Sequence, residues 1–326
     1  MISTNRRILA ALAAMCFAVG LAACGEDESD SGGAGSDAPA ATEKTIERDD
    51  ANASKGTITV GSKNFTEQFI LGEIYAQTLE AQGFKVQRRL NLGSEQVAYK
   101  ALRGGEISMY PEYTGTALTS FFDIKTTDVP KDADEAYEQA KKEYAKNKIT
   151  ALERTPFQNT YVIASTKDTA ENAGSPKTAS ALFEKNANLS ISGFPECRQR
   201  QDCLLGLRSL YGYKGKFVSS DGKFSDLDDD EADLTLAFGT DPKLALTDKY
   251  TAYEDDKKLF PPYHITLGVR DDVVEKIGPK AIETLETVQK GMTETAMREL
   301  NRRVELDKQP AKEAAAAYLK EEGFVQ

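Results

Sequence analysis

The chain of 326 residues contains no tryptophan and a single histidine, His264, so its aromatic chemistry rests on 13 tyrosines and 14 phenylalanines. One histidine leaves little for Ser-His or Cys-His catalysis, and His264, beside Tyr263, reads as structural. No GxSxG elbow is present. Gly215-Lys216 is followed by Phe217 and has Leu210 where a P-loop needs its first glycine, so it is no Walker motif. Cysteine is scarce as well: of four, Cys16 and Cys24 lie at the N-terminal apolar run, leaving Cys197 and Cys203. Two cysteines and one distant histidine do not make a zinc set, and a redox-active pair is usually CxxC. The acidic run from Asp226 to Glu231 lacks the glycine at the sixth position of an EF-hand loop and reads as a solvated turn. Positive charge is in deficit, with 41 Lys and Arg against 52 Asp and Glu and a formal net charge of −11. No basic stripe exists to neutralise phosphates, which argues against nucleic acid. No run beyond the N-terminus is long and apolar enough to span a membrane. These absences point to binding rather than catalysis, with no metal and no cofactor.

The N-terminus reads as an address. Arg6 and Arg7 precede an apolar run from Ile8 to Ala23, too short and wrongly flanked for a stable span, so residues 1–23 read as a signal peptide. The run ends in Leu21-Ala22-Ala23-Cys24, which resembles the lipobox of bacterial lipoproteins. That resemblance implies cleavage before Cys24 and a lipid on its thiol, anchoring the protein at the extracytoplasmic face of the cell membrane. Removal of residues 1–23 takes two arginines and no acid, moving the net charge from −11 to −13. Residues 24–55 are rich in Ser, Gly, Ala, Asp and Glu without apolar periodicity, and read as a disordered tether.

About 270 residues remain, enough for one large domain or two medium ones. Strand and helix patterns alternate. Ile58–Gly61 reads as a strand, Glu67 to Ala81 as an amphipathic helix closed by Gly83, and Ile107–Tyr110 as a buried strand that Pro111 and Gly115 end. A second βα series follows Pro156. The order predicts parallel sheets with helices on both faces, in two α/β lobes: residues 56–158 as the first part of lobe I, 159–270 as lobe II, and 271–326 returning to lobe I. Cys197 and Cys203, with five residues between them, read as a disulfide in an exported protein.

Five ordered motifs carry a family resemblance: VGSKNFTEQ, PEYTGTALT, NTYVIA, ECRQRQDCLLGL and DDKKLFPPY. From about Thr57 to the C-terminus the chain resembles the substrate-binding proteins of ABC importers for glycine betaine, choline and related osmoprotectants. The resemblance implies a type II periplasmic-binding fold whose lobes close on ligand, a monomer that delivers a quaternary amine to an ABC permease, and no reaction. A quaternary ammonium donates no hydrogen bond, so π faces must hold it. The family's cage positions fall on Tyr113, Tyr161 and Tyr263, and on Phe238 where relatives often carry tyrosine. Thr116 matches a selectivity position. Lys63 and Asn64, at a strand end, are candidates to meet the ligand's polar end. The KNFTEQ and ECxxxxxC features resemble a branch of the family with a less uniform ligand. The alternatives are another small zwitterion, such as an amino acid or carnitine, or an enzyme on the same two-lobed fold.

Overall fold

The computed structural model describes residues 45–326; the expected signal peptide, the lipid site at Cys24 and most of the expected tether lie outside the described residues. The described residues build two five-stranded mixed sheets. The first contains β1 (Thr57–Gly61), β2 (Lys85–Arg89), β3 (Met109–Tyr113), β4 (Ile149–Ala151) and β10 (Ile265–Arg270), in the order β2-β1-β3-β10-β4. The second contains β5 (Tyr161–Thr166), β6 (Ile191–Gly193), β7 (Phe217–Ser219), β8 (Leu234–Phe238) and β9 (Tyr250–Tyr253), in the order β7-β6-β8-β5-β9. Neither sheet is all parallel: β10 runs antiparallel to β3 and β4, and β5 antiparallel to β8 and β9. These are the strands entered straight from the two segments that cross between the sheets, at residues 152–160 and 254–264. The crossing segments run side by side, with Asn159 N donating to Tyr263 O at 3.0 Å and Thr155 N to Ile265 O at 2.8 Å.

Three expected boundaries are corrected. β10 was expected in lobe II, within 159–270, but it pairs with β3 and belongs to the first sheet. Pro111 does not end the third strand; it lies inside β3. Thr114 N donates to His264 O and Arg270 N to Ser108 O, so the bonded pairs with β10 fall on even-numbered residues. The ring nitrogen of Pro111 therefore faces β1, which pairs with β3 only at Val60 and Met109, and no ladder donor is lost. The tether was expected to run to residue 55, but Asp50–Lys55 form a 3-10 helix capped by Asp49. Its low apolar content is offset by polar docking: the buried Asn52 amide donates to Gln82 O at 2.8 Å. Gly83, at φ +94°, accepts this segment closely, since a Cβ there would lie 2.4 Å from Asp49 O.

The helix Thr66–Ala81 is buried on nearly all sides rather than amphipathic. Its outer face is covered by the C-terminal helices Pro279–Lys290, Glu294–Glu305 and Ala311–Glu321. Tyr75, in its middle, donates to Gln289 at 2.8 Å. No helix among the described residues is long and apolar enough to cross a membrane.

Candidate functional site

Ligands in open α/β sheets sit beyond the carboxyl ends of strands, and that is where the two sheets face each other. Lys63 and Asn64 follow β1, Tyr113 ends β3 with Thr116 one turn on, and Phe238 ends β8. Tyr161 opens β5 directly opposite Phe238 in the register, and Tyr263 lies in the second crossing segment. These seven residues, the ones singled out in the sequence, line one cavity.

Two further rings complete it. Phe65 and Phe194 fill the space between the lobes, and the six rings form a continuous chain. Phe65 stacks on Tyr113 at 6.0 Å and on Phe238 at 5.2 Å between centroids, and Phe194 on Phe238 at 5.9 Å. Tyr161 lies 5.2 Å from Phe238 and meets Tyr263 edge-on at 5.8 Å. Phe65 stood inside the KNFTEQ motif and was findable there, whereas Phe194 precedes Pro195 with no signal of its own.

The rings already face cations of the chain. The Lys63 ammonium sits 4.5 Å from the Tyr113 centroid and 5.7 Å from that of Phe65. It is only 5% exposed and forms a salt bridge with fully buried Glu112, whose other oxygen accepts from Tyr110 at 3.0 Å. The Arg200 guanidinium lies 5.7 Å from the Tyr161 centroid. It grips Asp202 through Nε at 2.8 Å and Nη2 at 2.6 Å, and reaches Thr116 at 3.3 Å. Asp202 also accepts from Tyr263 at 2.5 Å and from Thr119 at 3.0 Å. Burial raises the Asp202 pKa, but the charge and hydrogen bonds of Arg200 outweigh it and leave the carboxyl below its usual range. What stays open is about 30 Å³, room for a water molecule. The lobes are thus closed on one another, with the chain's own cations against the rings.

The Arg200–Asp202 pair is delivered by the disulfide segment. Cys197 and Cys203 are bonded, with Cα atoms 5.3 Å apart, and both are buried in the core. The bond closes the turn that carries Arg200 and Asp202 across to Thr116, Thr119 and Tyr263. The arginine was present in the quoted ECRQRQDC motif, but nothing in its spacing shows which way it turns.

Glu67 ties the closed lobes from behind the rings. One oxygen accepts from Tyr113 at 2.7 Å and from Asn159 at 2.8 Å. The other accepts from Thr240, which follows β8, and from Asn301 at 3.1 Å. The carboxyl is 2% exposed, and burial raises its pKa against the pull of four donors. One side chain thus joins lobe I, a crossing segment, lobe II and the C-terminal helices. Gly115 performs a similar service: a Cβ there would lie 2.8 Å from Pro261 and Pro262, so the YTGT turn packs directly on the FPPY segment. His264 stays structural: Nδ1 lies 2.9 Å from Thr155 O, and burial lowers its pKa. Among the described residues no group of three or more His, Cys, Asp and Glu is placed to hold a metal ion.

Known proteins resemble this chain over the same span. The family model for the substrate binding domain of ABC-type glycine betaine transport systems matches residues 56–321. The glycine betaine-binding protein YehZ of Escherichia coli K12 is 29% identical over 280 residues, covering 82% of this chain and 91% of the relative. The ergothioneine transport permease/ergothioneine binding protein EgtU of Helicobacter pylori is 27% identical over 82% of this chain, which spans 48% of that longer relative. A crystal structure of a glycine betaine/carnitine/choline ABC transporter superposes with a TM-score of 0.65 at 22% identity, covering 81% of this chain and 98% of that one. At that identity it speaks for the fold alone, a two-lobed mixed α/β architecture.

Proposed function

The chain belongs to the family of substrate-binding domains of ABC-type glycine betaine transport systems, and on that premise we propose that it captures a quaternary-amine solute between its lobes and hands it to an ABC permease. The observation that carries this reading is the convergence of six rings from both lobes on one cavity. In a water-poor site, a trimethylammonium group gains roughly 0.5–2 kcal/mol from each well-placed ring, and ammonium ions that keep a water shell gain less. Lys63 and Arg200 occupy ring faces in the closed state, so the solute enters when the lobes part and takes up faces that these side chains share. Tyr113, Tyr161, Phe238 and Tyr263 act as cage walls, with Phe65 and Phe194 added to them. Thr116, Lys63 and Asn64 contact the solute's polar end. The protein works outside the cytoplasm as a lipid-anchored monomer through Cys24, and performs no reaction.

A thermal-shift screen of the purified protein against quaternary amines and amino acids tests this reading. At a hundredfold excess over Kd, the right solute stabilises by about 2.7 kcal/mol. A protein indifferent to every quaternary amine, or one that turned a solute over, would not be the binder described.

A further inference from the structure

Carboxylates outnumber cations around this cavity. Lys63 and Arg200 are the two cationic side chains that line it, and each already has a buried carboxylate partner, Glu112 and Asp202. Two more carboxylates face the same space, Glu95 and Glu196. Glu95 is 4% exposed; its only ion pair among the described residues is with Arg200 Nη1 at 3.7 Å, too long for a hydrogen bond. Glu196 is half-buried and has no ion-pair partner among the described residues. Burial, with the charge of Glu95 added, raises its pKa. With Glu112 and Asp202 counted from behind the lining, the two lining cations meet four carboxylates, and Lys223, whose ammonium lies 5.6 Å from the Phe238 centroid, is itself paired with Asp241 and Glu305.

An excess of one sign in a poorly solvated cleft favours a ligand of the other. Building on the quaternary-amine reading above, we propose that Glu95 and Glu196 select a quaternary amine that is a net cation with a hydrogen-bond donor at its other end, of the choline class, over a carboxylate-terminated zwitterion such as glycine betaine. The ammonium rests on the rings, and the hydroxyl donates to a carboxylate. A betaine would instead bring a fifth carboxylate against cations already paired, and would have to pull Lys63 from Glu112 or Arg200 from Asp202.

Calorimetric titration of the purified protein with choline, glycine betaine and the methyl ether of choline decides it. Choline should bind at least about tenfold tighter than glycine betaine, a 1.4 kcal/mol difference. The ether, equally charged but without a donor, should fall between them. Glu196→Gln and Glu95→Gln, singly and together, should narrow the choline-to-betaine ratio, and far-ultraviolet circular dichroism and unchanged thermal unfolding check the fold. If glycine betaine bound as tightly as choline, or the double variant kept the full ratio, the selectivity would not come from these residues. Binding of neither amine would remove the functional reading together with this inference, whereas tight betaine binding removes the inference alone.

Discussion

The tyrosines of the cavity differ in what their hydroxyls do, so they respond differently to substitution. Tyr113 donates to Glu67 and Tyr263 to Asp202, each a bond to a buried carboxylate, while Tyr161 makes no hydrogen bond through its hydroxyl among the described residues. Tyr161→Phe should therefore leave quaternary-amine affinity within about twofold, because the π face stays. Tyr161→Ala should weaken it by roughly 1–2 kcal/mol. Tyr263→Phe should cost roughly 1–3 kcal/mol of stability, since Asp202 loses a charged-acceptor bond in a buried place. Urea unfolding and titration of the three variants separate these outcomes, and equal behaviour of the two phenylalanine variants would contradict the division. Four of the six rings were picked out by the family resemblance, three of them within the quoted motifs. Arg200 lay in a quoted motif too, but its inward turn rests on Thr116, Thr119 and Tyr263, which meet the Arg200–Asp202 pair from elsewhere in the chain. Lys63 shows the same limit: strand-end position suggested contact with solute, and the buried Glu112 partner was out of reach of local reasoning.

At the scale of elements, the disulfide turn is the part whose removal is most telling. Its loop is short, so loss of the bond removes about 2 kcal/mol by loop-closure entropy. It also frees the turn that holds Arg200 and Asp202 against Thr116 and Tyr263. The paired change Cys197→Ser with Cys203→Ser should lower the urea midpoint and weaken solute binding more than the stability loss alone requires. A variant that lost stability but bound at full affinity would show that the turn positions nothing. Strand positions were largely readable from alternation and turn residues, but strand direction was not. β5 and β10 run antiparallel to their neighbours because the chain crosses between sheets just before each of them, and hydrophobic period carries no direction. For the same reason the return to the first sheet at β10 was placed too late. The helix Thr66–Ala81 was read as amphipathic because its covering helices, from Pro279 onward, arrive so much later in the chain.

Across the whole molecule, hydrogen bonds and ion pairs that side chains make join the lobes: Glu67 with Thr240, Arg200 with Thr116, Thr119 with Asp202, Lys223 with Glu305 at 3.3 Å, and Arg298 and Asn301 with the carbonyls of Gly239 and Thr240. Such contacts exchange readily with water when the lobes part, which suits a protein that must open and close around a solute. The apolar surface that stays between the lobes is mainly that of the six rings, and the central claim is that these rings hold a positive charge rather than a greasy volume. Calorimetric titration with choline and with 3,3-dimethylbutan-1-ol, which replaces the ammonium nitrogen by carbon at nearly the same size, measures that difference directly. Choline should bind at least about tenfold tighter, the ratio that a cation–π contribution of roughly 1.4 kcal/mol produces. Equal affinity for the uncharged alcohol would contradict the aromatic-cage account.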